Sequence, residues 1–348
     1  MPAFETKRPE VRPFSAEQNR VRANLASYYE RWLEVARAGA DMDYRLTWKT
    51  VNGARYLYEI VDRDGNGKSL GRESPELLSR YDVFIARRDA NRSDKAGVDD
   101  AIQETARLYA ALNLPMIDAN AAEIFRRADV AGMLGTQLLV VGTNAMMAYE
   151  LEAGARAFLG WDATADCDLA FRGEAASFTL AGRSMPRTLL SLLKDIDSTY
   201  TVNTERTFQA RNRKAYEVEL LAAPSVMDRL PAGELVPIAQ MYEQEWLLLG
   251  QPVTQVICGL DRQTTRVVCP DPRWMALHKA WLAEKPGRRL DKRPKDAAQA
   301  RRLFALVVDY MPHYPIDDNF CDAIPVELQP VLAYLQAAHR ADQSSAGR

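Results

Sequence analysis

The 348-residue sequence predicts an α+β fold on three observations. Helical patterns occupy both ends, a strongly marked β-hairpin lies near residue 50, and the middle is built mostly of short strands.

The elements follow in order. Asn24 to Ala36 places apolar residues at helical spacing, so the chain to about residue 40 is expected to be helical. Tyr44–Thr50 and Arg55–Val61 alternate and are rich in Tyr, Val and Thr. Between them stands Val51-Asn52-Gly53, and Asn-Gly is a strong hairpin signal. Ser74-Pro75-Glu76 opens a helix with serine as N-cap and proline at the first helical position. A further helical run over 99–112 ends at Leu114-Pro115. That end sets a boundary, so residues 1–114 are expected to form an N-terminal helix and β-hairpin module.

A core over 115–235 comes next. Asp118 is a candidate N-cap for a helix to Ala131, and Gln137–Gly142 reads as a short apolar strand ending at a glycine. Thr143-Asn144 opens the helix Ala145–Glu152. Cys167–Phe171 is a strand, Pro186–Ile196 a helix, and Phe208–Asn212 and Tyr216–Ala222 are strands. A C-terminal β/helical region over 236–348 should hold strands at Trp246–Leu249, Val253–Cys258 and Thr265–Cys269. The helices Pro272–Glu284, Asp291–Tyr310 and Pro325–Arg340 follow, with the last eight residues expected to be disordered.

Composition excludes several chemistries. The formal net charge is −2, so no bulk attraction to nucleic acid or acidic membranes is implied. No apolar run approaches the roughly 20 residues of a spanning helix, and the first residues carry no apolar signal segment. The expected location is the cytoplasm, with no membrane partner. Cys167, Cys258, Cys269 and Cys321 lack zinc-ligand spacing and suggest no disulfide framework. The three histidines, His278, His313 and His339, stand in no triad or metal-site setting. Chemistry, if present, must run on carboxylates and cations.

Three segments carry that chemistry. They are Leu139-Val140-Val141-Gly142-Thr143-Asn144, Thr164-Ala165-Asp166-Cys167-Asp168-Leu169, and Tyr216-Glu217-Val218-Glu219-Leu220-Leu221. A glycine after a strand lets backbone approach a phosphate, and the amides opening the next helix favour its charge. Asp166 and Asp168, two apart on a strand, point to one face and can hold one or two Mg²⁺ ions against phosphate oxygens. Glu219 can complete that set or accept the proton of an attacking hydroxyl. Glu217 shares its face, and the third carboxylate stays ambiguous; Glu219 is preferred because Leu220-Leu221 suit a buried strand end.

These segments resemble the nucleotidyltransferase superfamily of the DNA polymerase β type. The fuller string Val141–Glu150 with Ala163–Leu169 is similar to a bacterial nucleotidyltransferase-like branch related to the toxins of abortive-infection toxin–antitoxin systems. The resemblance covers about residues 118–310. It implies a mixed-sheet core, Mg²⁺ or Mn²⁺ as cofactor, and an NTP as substrate. It also implies an RNA, tRNA or protein hydroxyl as acceptor, and a cognate antitoxin as partner. A late Lys-Asp pair on a helix belongs to the active site of those toxins, and Lys295-Asp296 fits it. Gly142, Thr143 and Asn144 then bind the nucleotide, with Asp166, Asp168 and Glu219 as metal ligands. Two alternatives remain open, an inactive RNA- or protein-binding scaffold and a toxin. Thr143 stands where serine is common, and about two dozen residues separate Gly142 from Asp166, so an insertion must loop out.

Other signals compete with bland readings. Asp41/Asp43, Asp62/Asp64 and Asp195/Asp197 repeat the Asp-x-Asp spacing without a glycine turn before them. The segment from Asp62 to Glu73 satisfies a calcium-loop formula, but a strand precedes it, and a glycine-rich hairpin turn explains it as well. Lys279 either reaches nucleotide phosphates or is a surface lysine. The cations from Lys285 to Arg302 read as a stripe that guides RNA or the triphosphate, or as a solvated face, and Arg206, Arg211, Arg213 and Lys214 as acceptor contacts or a solvated hairpin tip. Trp246 and Trp274 read as core residues, and His278 as a surface or packing residue.

Overall fold

The computed structural model describes residues 11–61, 65–158, 166–173, 188–230, 232–233, 235 and 241–346. In chain order they form β1 (Arg12–Pro13), α1 (Ala16–Ala40), β2 (Arg45–Val51), β3 (Ala54–Ile60), β4 (Gly67–Arg72) and α2 (Pro75–Ala111). β5 (Met116–Ile117), α3 (Ala119–Val130), β6 (Leu138–Val140), α4 (Gly142–Ala153), β7 (Ala155–Arg156) and β8 (Asp166–Phe171) follow. Then come α5 (Leu189–Ile196), β9 (Thr201–Val202), β10 (Gln209–Arg211), β11 (Glu217–Ala222), β12 (Val253–Gly259) and β13 (Thr264–Cys269). The chain ends with α6 (Pro272–Glu284), α7 (Arg293–Tyr310), α8 (Asp318–Asp322) and α9 (Gln329–Ala346). The class is α+β, with no described helix long and apolar enough to cross a membrane.

Two compact units emerge. The first takes in 27–104. Its antiparallel sheet runs β2-β3-β4, and the β2–β3 turn is Asn52-Gly53 at φ 51° and 78°, the left-handed pair that a two-residue hairpin requires. One sheet face buries Leu46 and Leu57 with Met42 and Phe84 of α2, and Tyr44 stacks on Phe84 with centroids 4.7 Å apart. The segment matching the calcium formula follows a strand, β3, and itself contains β4 instead of linking two helices, and residues 62–64 of it lie outside the described residues.

The second unit takes in 11–26 and the described residues from 105 onward. Its main sheet has the order β6-β8-β11-β10-β9, in which β8 and β11 are parallel and the other pairings antiparallel. A smaller sheet, β13-β12-β5, packs on α3 and α4, and α4 also lies against β8 and α7. Local chemistry fixes the ends. Asp118 caps α3 by accepting from the Asn120 and Ala121 amides, at 2.9 and 3.2 Å, a contact type that contributes about 1 kcal/mol. Gly154 closes α4 in the left-handed conformation at φ 62°. Asp271, fully buried, caps α6 from the Arg273 amide at 2.9 Å and accepts from Gln251 N at 3.0 Å.

Several sequence expectations are corrected. Trp246–Leu249 is not a strand: Tyr242–Leu248 is 3-10 helical, with Trp246 edge-on to Trp281 at 5.2 Å. A four-residue apolar run has too little periodicity to decide. The helical runs near 75 and 99 are one helix, because the polar stretch between them contains no proline to end it. β4 is absent from the sequence expectations, its two glycines arguing against a strand that pairing with β3 nevertheless holds. The tail continues as helix to Ala346. The Thr164-Ala165 part of the carboxylate motif and the start of the helix expected at Pro186 lie outside the described residues.

Candidate active site

The site starts from strand pairing. Val140 of β6 lies opposite Leu169 of β8, and the Val141 amide donates to the Asp168 carbonyl at 3.0 Å. This brings the next residue, Gly142, against the Asp168 side chain. Gly142 has φ +70°, and a Cβ there would lie 3.0 Å from Asp168 Cγ and closer still to Oδ2. Only glycine satisfies both demands.

Alternation along β8 does the rest. Cys167 and Leu169 are fully buried on one face, which leaves Asp166 and Asp168 half-buried on the other. Parallel pairing sets Asp166 beside Glu217 and Asp168 beside Glu219. Directly paired residues share a face, with strands about 4.8 Å apart. Both glutamates therefore join the aspartates. Gln209 of β10, opposite Glu219, donates from Nε2 to Glu217 Oε2 at 3.1 Å and to Glu219 Oε1 at 3.0 Å. Sequence reasoning missed Gln209, whose place is visible only in the register of β10 on β11.

This concentration of negative charge perturbs Asp168. Burial first, then the Asp166 and Glu219 charges, push its carboxyl up to about 6, with Lys279 and Lys292 opposing. Lys292 precedes α7 and Lys295 lies in its first turn. Burial and the Lys279 charge lower the Lys295 ammonium from its ordinary range, while Asp166, Asp168 and Asp296 act the other way.

Lys279 is not a surface lysine. It is buried, and its Nζ donates to Asp296 Oδ1 at 3.0 Å, while Arg288 Nε donates to the other oxygen, Oδ2, at 2.8 Å. Burial alone would raise the Asp296 carboxyl; the charges and hydrogen bonds of Lys279 and Arg288 hold it below the ordinary carboxylate range. Asp296 thus faces two cations, a role that suits an anchor better than a direct contact with an anionic nucleotide. Breaking a buried network of this kind costs about 3–5 kcal/mol. Asp296→Ala should show that loss in urea unfolding; a loss under about 1 kcal/mol, the exposed-pair value, would mean that water already screens the three groups.

The remaining sequence candidates separate by role. Thr143 is part-exposed at the opening of α4 and accepts from Gln299 Nε2 at 3.5 Å. Asn144 is buried, and its Nδ2 donates to the Asp166 carbonyl at 3.4 Å, which ties the helix start to the strand start. His278 is buried beside Trp246, with its imidazole pushed down to about 3 by burial and by Lys279. It is a neutral packing group.

The donor set suits a hard divalent cation, since it is all carboxylate oxygen. Among the described residues no three His, Cys, Asp or Glu side chains close around a single point. Mg²⁺ characteristically takes one or two carboxylates and fills its shell with phosphate oxygens and water, so Asp166 and Asp168 fit it without a closed cage.

The paired carboxylates of β8 and β11 thus lie on one sheet face, with the glycine-led start of α4 seated against Asp168. The family model described as Nucleotidyltransferase matches residues 119–325, a span holding every one of these groups, and the chain belongs to the nucleotidyltransferases. No curated protein and no solved structure matches the chain.

Proposed function

We infer that the chain moves a nucleoside monophosphate from an NTP to an acceptor hydroxyl on RNA, tRNA or protein. The observation that carries this reading is the seating of Gly142 against Asp168, with Asp166 and Glu219 on the same sheet face. In the reaction the acceptor oxygen bonds to the α-phosphorus, the bond from that phosphorus to the bridging oxygen breaks, and pyrophosphate leaves. Glu219 takes the acceptor proton. Asp166 and Asp168 hold Mg²⁺ or Mn²⁺, which supplies charge stabilisation to the phosphate oxygens. The Gly142 and Thr143 amides at the start of α4 hold the phosphate tail. Gln299, by donating to Thr143 Oγ1, leaves that hydroxyl's own proton for a phosphate oxygen. Lys295 neutralises charge as it moves onto the leaving group, and Asp296 holds Lys279 in place through its Oδ1 contact.

The test is a panel of α-labelled NTPs incubated with Mg²⁺ and cell extract. The wild type should transfer label from at least one NTP, and Asp166→Ala should transfer none. A wild type that transfers from no NTP, yet still binds RNA or protein, would replace the enzyme with a scaffold.

A further inference from the structure

The outward face of the β2-β3-β4 sheet carries a pattern that the transfer chemistry does not use. Leu46, Leu57 and Leu70 occupy the face packed on Phe84 and its neighbours. On the opposite face, between the row of Arg45, buried Ile60 and Gly67 at one end and the Val51–Ala54 pair at the turn, two rows cross the strands. One row is Thr47, Tyr58 and Ser69; the other is Lys49, Tyr56 and Arg72. The β-bulge at Leu57/Tyr58 absorbs Leu70 and keeps both rows in register. Lys49, Ser69 and Arg72 are exposed and the two tyrosines half-buried, so each ring has an accessible surface.

A solvated antiparallel face ordinarily mixes charge signs and small polar residues. Here neither row contains a carboxylate, and aromatic rings stand at both central positions. We propose that this face binds single-stranded RNA. Tyr56 and Tyr58, two apart on the central strand and about 6.8 Å from each other along it, offer successive stacking platforms for bases. Lys49 and Arg72 flank Tyr56 as phosphate partners. Lys49 Nζ now stands 4.9 Å over the Tyr58 ring, held only by a flexible stem that can swing to a phosphate. Thr47, Ser69 and the Tyr58 hydroxyl both donate and accept, which matches the ribose 2′-hydroxyl and favours RNA over DNA. The inference needs no transfer activity and stands whether or not the chain modifies what it binds.

The experiment is fluorescence anisotropy of a labelled 12-nucleotide single-stranded RNA with the full chain, without NTP or added divalent metal. Wild type should bind the RNA more tightly than DNA of the same sequence or an RNA duplex. Tyr56→Ala and Tyr58→Ala should each weaken binding about tenfold. Lys49→Gln and Arg72→Gln, at exposed positions, should each reduce the log–log salt slope by about 0.7, and they read the face even if a tyrosine variant fails to fold. Equal affinity for DNA, for heparin or for the duplex overturns the proposal, as does RNA affinity and salt slope unchanged in Lys49→Gln and Arg72→Gln. The assay contains neither NTP nor divalent metal, which separates failure here from failure of the transfer reading.

Discussion

Gly142→Ala should abolish nucleotidyl transfer while leaving the fold in place. The residue sits at φ +70°, where a side chain costs about 1–2 kcal/mol. That cost alone is tolerable. The steric clash decides the outcome, because the added methyl would lie 3.0 Å from Asp168 Cγ and nearer to Oδ2. Something must move, and the choice lies between the Asp168 carboxylate and the first turn of α4. Asp168 is carried by the main chain of β8, paired on both sides to β6 and β11. α4 is held by Asn144 on the Asp166 carbonyl and by its packing on α7 and β12. With both backbones fixed, the carboxylate must rotate away, or the first-turn amides of α4 must withdraw. Either shift approaches 1 Å at the reacting centre, a displacement that can cost about 100-fold in rate. Label transfer should fall by at least that factor, with the far-ultraviolet circular dichroism unchanged and the melting temperature lowered only a few degrees. Transfer within about threefold of wild type would show that the glycine cradle is not where the phosphates lie.

Much of this site is legible in the sequence because its determinants are local. A glycine at a strand end, two aspartates at strand alternation and a capping aspartate such as Asp118 each act within a few residues. The nucleotidyltransferase likeness read from about 118–310 overlaps most of the 119–325 match for the same reason. What escapes reading is set by tertiary pairing. Lys279 and Asp296 lie 17 residues apart on two helices, and nothing local tells a buried lysine from a surface one. Gln209 acts only because β10 lies on β11 in one register and not another. The cations from Lys285 to Arg302 look like one basic stripe, yet the fold divides them. Arg288 turns in to Asp296, Arg289 pairs with Asp291 at the surface, and Arg301 reaches Asp342. β4 and the uninterrupted α2 follow the same rule, since weak local preference yields in both to what surrounds it.

Asp168→Asn should lose transfer by at least about 100-fold, the scale of removing one preorganised electrostatic contact, and yet stabilise the metal-free protein at neutral pH. Burial and the neighbouring Asp166 and Glu219 charges raise the Asp168 carboxyl from 3.8 to about 6. The fold therefore favours the protonated acid, and between these values the folded chain binds more protons than the unfolded one. Stability from this group is fully present below pH 3.8 and is lost as pH rises to about 6, after which the penalty stays constant. A rise of that size corresponds to about 3 kcal/mol. Asparagine never ionises, so the variant avoids that penalty and should melt several degrees above wild type at pH 7.5 in chelator. Below pH 4 the two should converge. Mg²⁺ with NTP should reverse the neutral-pH order by stabilising only the wild type, because a cation favours the ionised carboxylate. An Asp168→Asn protein that is less stable than wild type at pH 7.5 without metal would mean that the negative charge is already compensated within the fold. The close grouping of Asp166, Asp168 and Glu219 would then be an electrostatic network complete in itself, with no need of a bound cation.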